Sequence, residues 1–277
     1  MSLFDFSQQV ILITGGTRGI GLATALAFAQ YGAKCILTYH WGDHDEEEIN
    51  QAFIQKQAIP PLILQANVAN QEDTENLMTQ LKEQCRQIDI FISNVSVAPV
   101  IKSFEDYSLK GLKQSISYSS FPMVAYTKKI HETFGKYPRY IIGMSSTGPN
   151  HYAYGYDFVA ASKTVMEVLC RYLSYRLKTE NTIINVVRSR GIRTKSLEDT
   201  FGYGKDLEPF VEKFVPDNYW IEPEEVAKAV ISLCSGYCDA INGQTITVDR
   251  GISFFDNFMD IYTRVKKGEL EIKEVIS

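Results

Sequence analysis

The sequence predicts an α/β fold in which one doubly wound parallel sheet carries helices on both faces. Short β-branched or apolar runs of strand length alternate along the chain with longer segments of helical spacing. Runs that are apolar throughout, rather than at every second position, are typical of parallel strands buried on both faces. Since crossovers between parallel strands are right-handed, this alternation places helices on either side of the sheet.

The expected elements follow in chain order from these patterns. Strands are predicted at Val10–Thr14, Lys34–Thr38, Leu62–Gln65, Ile88–Ser93, Tyr140–Gly143, Ile183–Val187 and Thr245–Val248. Helices are predicted between them over residues 19–31, 45–57, 71–86, 108–134, 157–178 and 223–235. No internal repeat or linker divides the chain, so we expect one domain over residues 1–253 and a C-terminal extension over residues 254–277.

Composition excludes several classes of protein. The chain has 277 residues, of which 45% are hydrophobic and 22% charged, as in ordinary soluble globular proteins. Its 28 Lys and Arg against 33 Asp and Glu give a net charge of −5, which argues against a surface field that holds nucleic acid. The N-terminus resembles no signal peptide, and no stretch approaches the ~20 apolar residues of a membrane span. We therefore expect a cytoplasmic protein with neither a nucleic-acid partner nor a membrane span.

The five cysteines are odd in number and widely spaced, which implies no disulfide framework. Only Cys234 and Cys238 lie close together, at helical spacing. Because no further Cys or His lies near them, we interpret both as buried apolar residues and expect no metal site.

A strand, a glycine turn and the start of a helix occupy residues 10–21, Val-Ile-Leu-Ile-Thr-Gly-Gly-Thr-Arg-Gly-Ile-Gly. Glycines let the backbone approach a pyrophosphate, and a helix N-terminus offers free N–H groups and the positive end of its dipole. Because this turn opens the first β-α unit, we interpret it as a dinucleotide-binding site rather than a structural turn. The spacing Thr-Gly-x-x-x-Gly-x-Gly resembles the short-chain dehydrogenase/reductase family, which implies a Rossmann fold and an NAD(P)-dependent oxidoreductase.

The end of the second strand bears on the choice of cofactor. An acidic side chain there usually holds the ribose hydroxyls of NAD, but this strand is followed by no carboxylate before Asp43. Arg18 in the glycine turn and His40 could neutralise a 2′-phosphate, which favours NADPH over NADH. A solvated loop arginine and a surface histidine are the alternatives for these two residues.

The resemblance implies further contacts with the cofactor. Asn67 and Val68 stand where the family has Asp-Val beside the adenine, and Asn94 is retained from its Asn-Asn-Ala-Gly segment. After the sixth strand, Ile192 and Thr194 match the family's loop Pro-Gly-x-x-x-Thr, although the Pro-Gly itself is replaced. The expected cofactor-binding residues are therefore Gly15, Thr17, Arg18, Gly19, Ile20, Gly21, His40, Asn67, Val68, Asn94, Lys163, Ile192 and Thr194.

A tyrosine hydroxyl whose pKa is lowered by a nearby lysine suits the chemistry of such a reductase. The family usually spaces this pair Tyr-x-x-x-Lys, but Val159 holds the tyrosine position before Lys163. Tyr156 and Lys163 instead show a Tyr-x6-Lys spacing, about two helical turns, which keeps both side chains on one face. This spacing resembles the enoyl-acyl-carrier-protein reductase branch of the family, with Tyr152 and Tyr154 as alternatives to Tyr156.

Three further segments resemble the same branch. Residues 93–99 are similar to its Ser-x-x-x-Ala-Pro stretch, and residues 115–121 to a helix that replaces the catalytic asparagine of ordinary members. Ser146 follows the fifth predicted strand, ten residues before Tyr156, where many enoyl reductases have a second tyrosine. The resemblance implies that Tyr156, Lys163 and Ser146 are the catalytic residues, with Ser146 bonding the substrate carbonyl.

An aromatic-rich stretch over residues 189–222 is expected to form a substrate lid suited to a long apolar acyl chain. A cationic cluster lies near its start, made of Arg188, Arg190, Arg193 and Lys195. A landing patch for an acidic carrier protein, a contact from Arg190 to the cofactor phosphates and a solvated loop are three open interpretations of this cluster.

The resemblance therefore implies NADPH-dependent reduction of the α,β double bond of an acyl thioester, carried by an acyl carrier protein in fatty-acid or polyketide biosynthesis. The alternatives are a 3-oxoacyl-thioester or other carbonyl reductase that uses the same residues, and a catalytically inactive dinucleotide-binding protein. Because the family commonly forms tetramers, we expect a homo-oligomer, either a tetramer or a dimer. The tail over residues 254–277 is expected to cover a subunit interface or the lid.

Overall fold

The computed structural model describes residues 4–41, 44–192, 211, 213–215, 219–255 and 257–270. Within these residues seven strands form one sheet: β1 (Val10–Thr14), β2 (Lys34–Tyr39), β3 (Leu62–Gln65), β4 (Ile90–Ser93), β5 (Tyr140–Ser146), β6 (Ile183–Ser189) and β7 (Thr245–Val248). The predicted strands are confirmed, with small changes at their ends. The largest extensions carry β5 and β6 on to Ser146 and Ser189, so both strands reach further toward the candidate site than expected.

The helices in the described ranges are α1 (Gly19–Ala29), α2 (Glu46–Gln55), α3 (Gln71–Gln84), α4 (Leu109–Ser119), α5 (Phe121–Phe134), α6 (Asp157–Arg176), α7 (Pro223–Leu233) and α8 (Asn257–Lys266). Short 3-10 turns occupy Phe104–Asp106, Lys178–Glu180 and Ile252–Phe254. None of the helices in the part of the chain described is both long and apolar enough to cross a bilayer.

All neighbouring strands are parallel, in the order β3-β2-β1-β4-β5-β6-β7. The chain order reverses between β1 and β4, because β2 and β3 lie on one side of β1 and the later strands on the other. A crevice outside the carboxyl ends of the strands is expected at such a reversal. Thr14, Ser93 and Ser146, the last residues of β1, β4 and β5, therefore lie along the edge where the topology predicts a ligand site.

Two apolar layers flank the sheet. On one face, Phe28 of α1 and Val230 of α7 pack with Ile13 of β1. On the other face, helices α3, α5 and α6 pack against side chains that alternate with those, and Leu12 of β1 and Met166 of α6 belong to the same apolar cluster. Because every central strand is covered on both faces, the doubly wound α/β fold is confirmed.

The single helix predicted over residues 108–134 is wrong, because the structure divides it into α4 and α5 at Ser120. Pro122 lies in the first turn of α5, where its missing N–H costs nothing, whereas in a continuous helix its ring would clash with the carbonyl of Tyr118. Ser120 lies between the two helices, and its hydroxyl donates to the carbonyl of Ser162 at 2.6 Å. The break therefore docks the α4–α5 junction on α6.

The expected lid is described only at its ends, since residues 193–210, 212 and 216–218 lie outside the described residues. Those ends meet, because Ile192 pairs with Ile221 in a parallel bridge and the Ile221 N–H donates to Gly191 at 2.9 Å. The expected extension includes α8 and the buried Leu270, while residues 271–277 also lie outside. A domain boundary at residue 253 stays a prediction.

Asn185 pins β7 to the sheet from inside β6. This fully buried side chain donates from Nδ2 to the carbonyl of Ile241 at 2.6 Å and accepts from the N–H of Gln244 at 2.9 Å. We predict that Asn185→Leu lowers the free energy of unfolding by about 2–4 kcal/mol, because both backbone groups lose their partner. Urea denaturation measures this loss.

The matched control is Gln244→Ala, which removes an exposed side chain at the same connection and leaves its N–H in place. We expect it to change stability by less than about 0.5 kcal/mol. Equal stabilities of the two variants would show that Asn185 does not hold this connection.

Candidate active site

A cavity of about 650 Å³ opens at the carboxyl edge of the sheet, where the chain order reverses. Its walls come from the glycine turn after β1, the ends of β2, β4, β5 and β6, and the start of α6. The expected site residues that line it are Gly15, Thr17, Arg18, Gly19, Ile20, His40, Val68, Asn94, Ser146, Tyr156, Lys163 and Ile192. Asn67 and Gly21 are not among the residues that line the cavity, and Thr194 lies outside the described residues.

At two positions of the glycine turn, Gly15 and Gly21, the backbone favours glycine over any other residue. Gly15 has φ +63°, a left-handed conformation that disfavours other residues. A Cβ on Gly21 would lie 2.2 Å from the carbonyl oxygen of Gly15. The N-cap residue Arg18 makes no side-chain bond to the first turn of α1, which leaves N–H groups that can bind an anion. This cradle fits the pyrophosphate of a dinucleotide.

Asn94 holds the glycine turn in place. Its Nδ2 donates to the carbonyls of Thr14 at 3.1 Å and Gly15 at 2.9 Å, and its N–H donates to the Thr14 hydroxyl at 3.0 Å. Because the amide protons are engaged by the backbone, Asn94 shapes the cofactor cradle from below while its side chain still borders the cavity.

The far end of the cavity is polar and aromatic. His40 lies there with a buried Nδ1 that makes no hydrogen bond in the described part of the chain, while Arg18 is exposed at the rim. Trp41 and Tyr118 form an aromatic wall, with ring centroids 5.0 Å apart. Asn67 supports this wall, since its Nδ2 donates to the Tyr118 hydroxyl at 3.2 Å.

Lys163 is buried on α6 and points to the end of β5. Its Nζ donates to the carbonyl of Met144 at 2.8 Å, which leaves further protons of the ammonium for a ligand in the cavity. Burial lowers the pKa of Lys163 to about 8, although the Glu167 carboxylate one helical turn away acts in the opposite direction. The lysine is therefore charged at neutral pH and sensitive to its surroundings.

Tyr156 precedes α6 and its ring lies against Gly148, where a Cβ would approach it to 2.7 Å. Burial raises the pKa of Tyr156, and the neighbouring Ser146 hydroxyl lowers it by less. The expectation that a lysine lowers this pKa is therefore wrong for the protein as described, because burial prevails. The phenol stays protonated at neutral pH and acts as a hydrogen-bond donor.

The alternative tyrosines also border the cavity, but both are much more exposed to solvent than Tyr156. Tyr152 is 86% exposed and Tyr154 is 58% exposed, and the Tyr154 hydroxyl donates to the carbonyl of Lys102 at 3.4 Å. Ser146 Oγ is buried without a hydrogen bond of good geometry in the described chain, although it lies near the Tyr156 phenol. A hydroxyl has one proton and two lone pairs, so Ser146 can bond to a substrate oxygen in addition to the Tyr156 phenol.

Sequence reasoning missed several residues of the site. Gly148 has a clear signal, a glycine just after the end of β5, but its contact with Tyr156 depends on the path of the following loop. The aromatic wall was missed because Trp41 and Tyr118 are distant in sequence. The interpretation of Arg188 as part of an exposed cationic cluster is wrong, because its side chain is only 14% exposed and pairs with Glu167. Arg193 and Lys195 lie outside the described residues.

Residues 15–253 match the family described as enoyl-(acyl carrier protein) reductase. The chain is 25% identical to the enoyl-acyl-carrier-protein reductase (NADH) of Aquifex aeolicus, covering 100% of this chain and 99% of the relative. It is 26% identical to the 3-oxoacyl-acyl-carrier-protein reductase of Synechocystis sp., covering 90% and 98%. A 7α-hydroxysteroid dehydrogenase complexed with NADH has a similar fold, with a TM-score of 0.78, 19% identity and coverage of 89% and 95%.

The glycine cradle yields a direct prediction. Gly21→Ala places a methyl group against the Gly15 carbonyl and opens the turn, so we expect the affinity for NADPH and for NADH to fall at least about tenfold. Fluorescence titration with each cofactor measures the loss.

Gly135→Ala is the control, since a Cβ there meets nothing within 4 Å and the residue ends α5 away from the cavity. It carries a strain cost at φ +71° but should bind NADPH as the wild type does. Unchanged affinity in Gly21→Ala would contradict the placement of the pyrophosphate.

Proposed function

Because the chain belongs to the enoyl-(acyl carrier protein) reductase family of NAD(P)H-dependent short-chain dehydrogenases/reductases, we propose that it reduces the α,β double bond of an acyl thioester. The observation that carries this proposal is the pair of hydroxyls, Tyr156 and Ser146, that border the cavity beside a buried lysine. Two hydroxyls and an ammonium that line one cavity suit a thioester carbonyl, because they can donate to its oxygen.

The cofactor we propose is NADPH, with NADH as the alternative. When bound with its pyrophosphate over the glycine turn, it supplies the hydride for the β-carbon. Gly15 and the first turn of α1 bind the pyrophosphate, and Lys163 binds the nicotinamide ribose. Arg18 and His40 both line the cavity, and their capacity to bind a 2′-phosphate supports NADPH, whereas the Aquifex aeolicus relative is named for NADH.

Tyr156 donates a hydrogen bond to the thioester oxygen and stabilises the negative charge that develops on it as an enolate. Its raised pKa suits this role, because a donor must keep its proton until charge arrives. The Lys163 ammonium stabilises the same charge through the low-dielectric cavity, and Ser146 offers a second donor. Val159, which stands at the ordinary tyrosine position, is buried and gives the crevice an apolar wall.

A second candidate is 3-oxoacyl-thioester reduction. Ser146 favours it, since ordinary members of the family carry serine there, and so does the similarity to the Synechocystis reductase. In this case the same donors stabilise an alkoxide. An acyl carrier protein as partner, a role in fatty-acid or polyketide biosynthesis, a homo-oligomeric assembly and a cytoplasmic location rest on the sequence and the resemblance, and complete this proposal.

The test is NADPH oxidation at 340 nm with crotonyl and acetoacetyl thioesters in parallel. We expect turnover of the crotonyl thioester, reduced about 100-fold or more in Tyr156→Phe because the enolate loses its donor. Tyr172→Phe is the matched control and should retain wild-type turnover, since Tyr172 is an exposed tyrosine of α6 that does not line the cavity. Faster turnover of the acetoacetyl thioester would favour the second candidate function. Turnover of neither thioester would overturn the proposal.

Cofactor choice has its own test. Arg18→Ala should weaken NADPH about tenfold and leave NADH affinity unchanged, because the guanidinium pairs only with the 2′-phosphate. Arg86→Ala removes an exposed arginine that does not line the cavity and should alter neither. Equal effects of Arg18→Ala on both cofactors would contradict the assignment.

A further inference from the structure

A buried ion pair lies directly behind Lys163. Arg188 near the end of β6 donates from Nε to Glu167 Oε1 at 3.1 Å and from Nη2 to Oε2 at 2.6 Å. The two side chains are 14% and 10% exposed. Such a two-point contact fixes the relative position of the strand and helix α6. Glu167 follows Lys163 by one helical turn, so the pair also fixes where the lysine emerges.

The pair reaches two further segments of the site. The Ser145 hydroxyl, at the end of β5, donates to Glu167 Oε1 at 2.8 Å. With the side-chain amide of Asn150 turned so that its oxygen faces the guanidinium, Arg188 Nη1 donates to it at 2.9 Å. Asn150 lies in the loop that joins Ser146 to Tyr156. One ion pair therefore connects the elements that carry Ser146, Tyr156 and Lys163.

Stability alone does not account for this arrangement. Burying two charges costs about as much free energy as their attraction returns, and apolar residues of similar size are often equally stable in such places. Val186 and Val187 precede Arg188 in the same strand and are fully buried, so an apolar side chain at residue 188 would be compatible with the strand. The presence of the ion pair is therefore better explained by its contacts with the site than by a contribution to the stability of the sheet.

We propose that Glu167 and Arg188 are positioning residues, which together hold the Ser146–Tyr156 loop against α6 and set the local charge at Lys163. This inference rests on the proposed function only in giving Lys163 and Tyr156 their roles. The geometry of the pair is independent of the substrate.

The groups around Lys163 make the electrostatic part of this proposal specific. On its own helix they are Glu167 and, at the helix start, Tyr156. From β6 comes Arg188, and from the following loop Arg190, which lines the same cavity. The ends of β4 and β5 present uncharged groups there: Ser93, Asn94, Met144, Ser145 and Ser146. Removing either member of the pair leaves the other unbalanced beside the lysine.

The experiment follows the titration of Lys163 directly. Protein labelled with ¹³C-lysine gives a Cε resonance for Lys163, assigned by its loss in Lys163→Met, whose midpoint is measured against pH. In Glu167→Gln the unbalanced Arg188 should move the midpoint down by about one unit, and in Arg188→Met the unbalanced Glu167 should move it up by a similar amount. The double variant should fall between the single variants.

Arg139→Met is the matched control, because Arg139 pairs with Asp239 at a site that does not line the cavity. It should leave the Lys163 midpoint unchanged. Circular dichroism verifies that each variant is folded, and Arg188→Lys, which keeps the charge, should stay near the wild-type midpoint. General loosening of the fold would not move the Lys163 midpoint in opposite directions in Glu167→Gln and Arg188→Met. Midpoint shifts of the same sign in these two variants, or no shift, would therefore overturn the proposal.

The positioning part is read from steady-state kinetics with NADPH and the crotonyl thioester. Arg188→Met should lower kcat about tenfold with little change in the KM for NADPH, because the loop that carries Ser146 and Tyr156 loses its anchor. A change in KM alone would contradict a role in positioning. If the wild type reduces no enoyl thioester but the midpoints shift as stated, the proposed function fails while the electrostatic assignment stands.

Discussion

The buried ammonium of Lys163 is the group on which the rest of the site depends. A lysine in an apolar core tends to lose its proton, and burial brings the pKa of Lys163 down to about 8. Two groups stabilise its charged form at neutral pH. The Met144 carbonyl accepts a hydrogen bond from Nζ at 2.8 Å, and the Glu167 carboxylate lies one turn further along α6. In the function we propose, the cofactor ribose and the charge that develops on the substrate would meet an ammonium already oriented by the sheet and the helix.

The same burial explains how a departure from the usual tyrosine spacing preserves the site. With Val159 in the ordinary position, the phenol comes from Tyr156 at the entrance of α6, and it reaches Ser146 only because Gly148 leaves room for its ring. Burial keeps this phenol protonated. The Tyr156 phenol, the Lys163 ammonium and the apolar side chain of Val159 then line one cavity. The spacing of the tyrosine and the lysine differs from that of ordinary carbonyl reductases, but the same two chemical groups are present.

The fold was predictable because its strands are short, continuous apolar runs, and the glycine turn was predictable because Gly15 and Gly21 meet steric demands that no other residue meets. The break at Ser120 was missed because helical periodicity continues through it, and only the position of Pro122 reveals two helices. Arg188 was misread as surface charge. An arginine after buried valines in a central strand calls for a buried acidic partner, but Glu167 lies on another element, and only tertiary structure identifies it.

An isotope label can follow the proposed hydride transfer from NADPH to the β-carbon of an enoyl thioester. Crotonyl thioester is incubated with NADPH that carries deuterium at the transferred position, and the product is analysed by NMR. We expect a butyryl thioester with deuterium at C3, formed by the wild type and not by Tyr156→Phe. Crotonyl thioester recovered without deuterium, while acetoacetyl thioester yields a labelled 3-hydroxybutyryl product, would contradict it.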